Sequence, residues 1–180
     1  MEIRKTSIEG LTLIKPKVYN DERGYFMESY KESFIKENFP NIHFIQGNES
    51  KSSFGVLRGL HLQLNPYSQT KLVRVVEGEI YDVAVDLRPK SQSYGKWESF
   101  ILSSDNKKQL LIPKGFAHGF ICLSEIAIIN YKVDNIYSKD HERTLLYNDP
   151  SLNIKWPIEN KNLIVSQKDM NGVSLNDLKI

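Results

Sequence analysis

Apolar and polar residues alternate along much of this chain with a period of two, the signature of strands with one face buried. The clearest case is Ile80 to Leu87, where Tyr81, Val83, Val85 and Leu87 share one face and Asp82, Ala84 and Asp86 the other. Lys71 to Val76 is a second such run, and Glu77-Gly78-Glu79 between the two reads as the turn of a hairpin. Trp97–Leu102, Gln109–Ile112, Gly119–Leu123 and Ile126–Val133 are further strands. Turn clusters at Ser103-Ser104-Asp105-Asn106 and Pro113-Lys114-Gly115 separate them. Nearer the start, Asp21-Glu22-Arg23-Gly24 reads as a hairpin turn leading into a strand over Tyr25–Tyr30. The main helical stretch is short, Ser33–Asn38, stopped by Pro40. Beyond Tyr137 the pattern loosens into loops, around Asn148-Asp149-Pro150 and Trp156-Pro157, and a helical tail. Many short strands with regular turn punctuation predict an all-β double-sheet jelly roll or barrel, carrying short peripheral helices and packed against by the tail.

Composition narrows the classes of function more than it names one. At 180 residues, with no internal repeat or long linker, the chain is expected to form one domain spanning residues 1–180. Its 24 basic and 22 acidic residues leave a net charge of +2, which argues against nucleic acid or a membrane surface as partner. A local basic pocket for a small anion remains compatible with that balance. The single Cys122 offers neither a disulfide framework nor a zinc cluster. The charged start, Met1 to Lys5, lacks the apolar core of a signal peptide, and no apolar run is long enough to cross a bilayer. A cytoplasmic protein is the expectation.

Chemistry concentrates in two stretches. In Val56-Leu57-Arg58-Gly59-Leu60-His61-Leu62-Gln63, Arg58 carries a fork of donors suited to a phosphate, and His61 an imidazole able to take a proton near neutrality. A regular strand would point the two to opposite sides; a bulge at Gly59 would bring both to one pocket. The alternative is a surface arginine and a core histidine. In Pro113-Lys114-Gly115-Phe116-Ala117-His118-Gly119-Phe120, a turn leads to His118 at the head of a strand. The spacing Pro-x-Gly-x-x-His resembles the second cupin motif, and Gly59-x-His61 the start of the first. Gln63 stands where that first motif would supply another metal-binding histidine, so a metal-free barrel is expected. Lys71 is either a solvated strand-end lysine or an ammonium placed to steady an oxyanion. Tyr131, on one face with Ala127, Ile129 and Val133, is either a core residue or a phenol aimed into the pocket. Asp169 is a turn or cap residue unless the tail folds back to His61.

Taken in order, Asp21–Phe26, Leu57–His61, Lys71–Val75, Ile112–Phe120, Tyr131-Lys132 and Asn148-Asp149-Pro150 carry a wider likeness. The chain resembles the dTDP-4-dehydrorhamnose 3,5-epimerases, cupin enzymes of the deoxysugar pathway, from about Ile3 to Asp169. The resemblance implies a cofactor-independent isomerase acting on dTDP-4-dehydro-6-deoxy-D-glucose. It implies His61 as base, Asp169 orienting it, Tyr131 as acid and Lys71 beside the keto oxygen. It further implies Arg58 near the diphosphate, Tyr137 stacked on thymine, and Arg23, Glu28, Gln46, Asn48, His118, Glu142 and Lys168 lining the nucleotide-sugar site. The family forms homodimers with exchanged N-terminal strands, which would carry Arg23 and Glu28 into the partner's pocket. Gly47, Glu49 and Thr144-Leu145 depart from the family's pattern, at positions suited to tuning the accepted sugar or base. A sister epimerase that inverts a single carbon or uses another nucleotide-linked 4-keto sugar, and a non-catalytic sugar-binding cupin, are the alternatives.

Overall fold

A computed structural model describes residues 1–179. The strands of the first half are β1 (Glu2–Lys5), β2 (Thr12–Lys15), β3 (Val18–Asp21) and β4 (Gly24–Met27), followed by helix α1 (Glu32–Asn38). Then come β5 (Gln46–Ser53), β6 (Val56–Gln63), β7 (Lys71–Glu77), β8 (Glu79–Asp86), β9 (Trp97–Ser103), β10 (Gln109–Ile112), β11 (Phe116–Cys122) and β12 (Ile126–Val133). The tail adds β13 (Glu142–Thr144), β14 (Ile164–Val165) and α2 (Gln167–Met170). One sheet runs β1-β2-β10-β7-β12-β5 and the facing sheet β13-β6-β11-β8-β9, with β14 alongside β6. This is the expected all-β jelly roll.

The interior is built by alternate residues of the two sheets. Val73, Val75, Leu110, Ile112, Ala127 and Ile129 from the first meet Ile80, Ala84, Leu102, Phe116, Phe120 and Cys122 from the second. The opposite face of β8, with Val83 and Val85, is buried as well, as is Leu87 just beyond the strand. This face lies with Leu60 and Leu62 under the tail residues Leu145, Leu152, Ile154 and Trp156. Trp97 Nε1 donates to the Leu152 carbonyl and Trp156 Nε1 to the Tyr147 carbonyl, each at 2.8 Å, so the indole edges tie the tail down. Helix α1 covers the outer face of the other sheet through Ile35, which packs with Ile14, Leu72 and Leu111.

Three sequence expectations are corrected. β7 and β8 are not a hairpin: β7 pairs with β10 and β12, and β8 with β9 and β11. At Gly78 (φ +77°) the chain instead passes from one sheet to the other, and a side chain there would strike the Ile126 carbonyl. Alternation marks where strands begin and end, not which strand lies beside them. The strand after Gly24 ends at Met27 rather than Tyr30, and β11 begins at Phe116, three residues before Gly119, because Phe116 and Ala117 are already core.

Candidate active site

Strand β6 supplies the first two functional groups, and it does so through an irregularity. Opposite β11, His61 pairs with His118 and Arg58 with Phe120, so β6 carries one more residue than its partner between these points. The bulge falls at Gly59 and Leu60, and both Arg58 and His61 end on the walls of one cleft of about 570 Å³. Arg58 is steadied there by Nε donating to Ser52 Oγ at 3.0 Å and a terminal nitrogen donating to the Lys51 carbonyl at 3.0 Å.

The tail brings the carboxylate. Ser166 caps α2 by accepting from the Asp169 N–H at 3.1 Å, and this turn delivers Asp169 Oδ1 to 2.7 Å from His61 Nε2. Asp169 Oδ2 accepts from the Gly59 N–H at 3.1 Å. Burial pushes the Asp169 carboxyl up, but the hydrogen bonds and the neighbouring imidazole outweigh it and hold the group below the usual aspartate value. A carboxylate on one nitrogen fixes the ring and stabilises the imidazolium that forms when the other takes a proton.

From the facing sheet come Lys71, the first residue of β7, and Tyr131 on β12. Burial pushes the Lys71 ammonium down to about 8, against the opposing pull of the Asp82 and Glu142 charges. Burial likewise raises the Tyr131 phenol above its ordinary value, so it carries its proton throughout the neutral range. On β11, His118 Nε2 meets Asp82 Oδ2 at 2.9 Å, while Asp82 Oδ1 is buried without a hydrogen-bond partner among the described residues. At the rim, Glu142 Oε2 accepts from Lys168 Nζ at 2.6 Å and from the Tyr137 hydroxyl at 3.0 Å. Burial raises Glu142, and these two donors more than reverse it, leaving the carboxyl below its usual value.

The cleft is thus lined by His61, Lys71, Arg58, His118, Tyr131, Lys168 and Asp169, with an apolar wall of Val56, Phe120, Ile129 and Ile164. Glu142 and Tyr137 join it through Lys168. Other expected site residues lie elsewhere in this chain. Arg23 is exposed at the β3–β4 turn, paired with Asp21, and Glu28 is paired with Lys31 at 3.2 Å. Gln46 donates to Asn48 at 2.6 Å on β5, and neither lines the cleft. The residue pattern singles out neither Ser50 nor Ser166, both on the cleft wall, nor Asp82 as a partner for His118. An aspartate on the same strand face as Ala84 is the available signal for Asp82. Gln63 Oε1 accepts from the Ser138 N–H at 2.9 Å, and no group of three or more His, Cys, Asp or Glu fit to hold a metal occurs among the described residues.

Comparison with known proteins places this geometry. The family model for dTDP-4-dehydrorhamnose 3,5-epimerase matches residues 5–177. The dTDP-4-dehydrorhamnose 3,5-epimerase of Shigella flexneri is 51% identical over 173 residues, covering 96% of this chain and 94% of that protein. The crystal structure of the enzyme of that name from Elizabethkingia anophelis superposes with a TM-score of 0.94 at 47% identity, covering 98% of this chain and 97% of the other. A Legionella pneumophila dTDP-6-deoxy-D-glucose-3,5-epimerase, solved with dTDP-4-keto-L-rhamnose, also gives a TM-score of 0.94, at 44% identity and coverages of 99% and 94%. Sequence and fold together show that the chain belongs to the dTDP-4-dehydrorhamnose 3,5-epimerase family.

Proposed function

We propose that this protein converts dTDP-4-dehydro-6-deoxy-D-glucose to dTDP-4-dehydro-L-rhamnose by inverting C3 and C5 in turn. Both carbons flank the C4 carbonyl, so loss of either proton delocalises an electron pair onto the carbonyl oxygen. His61, oriented by Asp169, takes the proton from one face, and the Lys71 ammonium steadies the oxyanion. Tyr131 returns a proton to the opposite face, which inverts the carbon. Arg58 and Lys168 supply positive charge for the diphosphate, with His118 and Glu142 as further substrate contacts, Gln46 and Asn48 as contacts beyond the cleft wall on β5, and Tyr137 as a platform for the base. Proton removal and return leave the oxidation state unchanged, so the reaction calls for no redox cofactor. With Gln63 bonded to the chain at Ser138, the reading assigns no metal either. The carrying observation is one cleft that holds a carboxylate-backed imidazole, a protonated phenol and a buried ammonium.

Proton NMR of the dTDP-4-keto sugar in deuterated water tests this. Deuterium entering at both C3 and C5 is the expected result; entry at one carbon only would make the protein a single-carbon epimerase. Tight binding without exchange would make it a sugar-binding cupin.

We further infer a cytoplasmic homodimer in which Arg23 and Glu28 complete the neighbour's cleft. Among the described residues the β3–β4 hairpin pairs with no other strand, and it holds Tyr25 and Phe26 in solvent, 52% and 66% exposed. No helix among the described residues is long and apolar enough to cross a membrane. Mixing Arg23→Ala with His61→Ala protein should restore activity once subunits exchange, because mixed dimers hold one site free of both lesions. Exchange without recovery would refute the shared site.

A further inference from the structure

Two glycines on neighbouring strands cross backbone to backbone beneath the His61–Asp169 pair. A Cβ on Gly119 would stand 2.7 Å from the Arg58 carbonyl oxygen and 3.1 Å from Gly59 Cα. One on Gly59 would stand 2.5 Å from Gly119 Cα and 2.8 Å from the His118 carbonyl oxygen. Neither position admits a side chain unless the strands separate. At Gly59 the backbone is also in the positive-φ region, at +128°; Gly119 is not, so at Gly119 the requirement is one of space alone.

The crossing sits at the bulge, and the bulge redirects the backbone polar groups of β6. Leu60 turns to the tail, its N–H donating to the Leu145 carbonyl at 3.2 Å and its carbonyl accepting from the Leu145 N–H at 2.8 Å. The Gly59 N–H is turned to Asp169 Oδ2 at 3.1 Å, while Oδ1 of the same carboxylate meets His61 at 2.7 Å. One strand therefore carries the imidazole and also grips the carboxylate that orients it. Two donors on two oxygens leave the carboxylate a single orientation.

We propose that the Gly59–Gly119 crossing is a positioning device for the His61–Asp169 pair, holding the carboxylate through the Gly59 N–H and turning His61 and Arg58 to the same side. It rests on the acid–base reading of the cleft given above. Gly59 and Gly119 are positioning residues, acting through Asp169 and His61. A methyl group at position 119 pushes the Arg58 carbonyl and Gly59 away from β11, carries the N–H off Oδ2 and frees the carboxylate to rotate. Misplacement on the order of 1 Å at a reacting group costs about 10²-fold in rate.

The test is Gly119→Ala in the full chain, with two readouts. In turnover of the dTDP-4-keto sugar, kcat should fall about 10²-fold while KM changes far less. In the protein without substrate, the proton resonance of the His61 N–H bonded to Asp169, assigned by its loss in His61→Ala, should disappear or move. A merely structural glycine would lower the melting temperature and leave that resonance and kcat in place, and that result overturns the proposal. Should Gly119→Ala fail to fold, Asp169→Ala reports on the same link. Its Gly59 amide should shift and exchange with solvent faster, and an unchanged Gly59 amide overturns the proposal. Both resonances are read without substrate, so they stand or fall separately from the identity of the sugar.

Discussion

The cleft contains two imidazole–carboxylate pairs side by side, His61–Asp169 and His118–Asp82, on directly paired residues of β6 and β11. Their bond lengths, 2.7 and 2.9 Å, hardly distinguish them. Their surroundings do. The His61 side chain is 28% exposed, and both oxygens of its carboxylate are engaged, by the ring and by the Gly59 N–H. His118 is 10% exposed, and its partner Asp82 is wholly buried with one oxygen unengaged among the described residues. A proton acceptor must reach substrate and have its charged form supported, and His61 meets both conditions. His118 is held deeper, and the negative charge of the carboxylate behind it acts to raise Lys71. On the proposed mechanism, these surroundings make the first pair the working base and the second a fixed electrostatic support.

The largest effect should come from breaking this asymmetry at His61. His61→Ala should abolish both deuterium entry and epimerisation, a loss of at least about 10²–10⁴-fold for a general base. His118→Ala should leave measurable deuterium entry, because the base and its carboxylate stay in place. Quenched-flow exchange measured on the two variants decides it. Exchange lost in His118→Ala and kept in His61→Ala would reverse the assignment of the two pairs.

The two pairs also differ in how far the sequence disclosed them. Strand bounds at β10 and β12 and the short α1 could be read locally, since alternation and turn residues act over a few positions. The bulge at Gly59 was legible as one of two options, because a glycine between Arg58 and His61 permits it without requiring it. Which strands pair was not legible. The turn at Gly78 looks like a hairpin from its residues, and only the competing partners β9 to β12 send its two arms to different sheets. Asp169 lies 108 positions from His61, and only the family likeness linked them; Asp82 lies 36 from His118, and its place on the Ala84 face of the strand was the sole hint of the contact. Asp82 and Asp86 share a face of β8 with Ala84 and are fully buried, because that face looks into the barrel while the tail covers the other. Arg23 and Glu28 fall outside their own chain's cleft, and reach one only in the proposed dimer.

A second, narrower effect is expected opposite the base. Tyr131→Phe removes one oxygen and leaves His61, Asp169 and Lys71 untouched. The enolate still forms, so deuterium should enter with retained configuration while inverted product falls by about 10²–10⁴-fold. Separate integration of exchanged substrate and inverted product in one NMR time course reads both. Inversion at the wild-type rate would make Tyr131 a packing residue of the cleft.

The smallest effect sharpens the comparison most, because it asks which carboxylate serves which cation. Burial lowers the Lys71 ammonium to about 8, and the oxyanion needs its charged form. Activity should therefore decline as pH rises through about 8, well below the range in which the Tyr131 phenol, raised by burial, loses its proton. The Asp82 and Glu142 charges both act to raise Lys71, so neutralising either carboxylate favours the uncharged amine. Asp82→Asn should move the alkaline limb of kcat/KM to lower pH, and a tenfold weaker hold on the Lys71 proton corresponds to about 1.4 kcal/mol of lost support for the cation. Asp169→Asn, whose carboxylate backs His61 instead, should reduce the plateau and leave the position of that limb where it was. The measurement is a pair of pH–rate profiles through the alkaline range. A limb that moves in Asp169→Asn but stays fixed in Asp82→Asn would mean that Asp82 does not support Lys71, and the division of labour between the two pairs would fail.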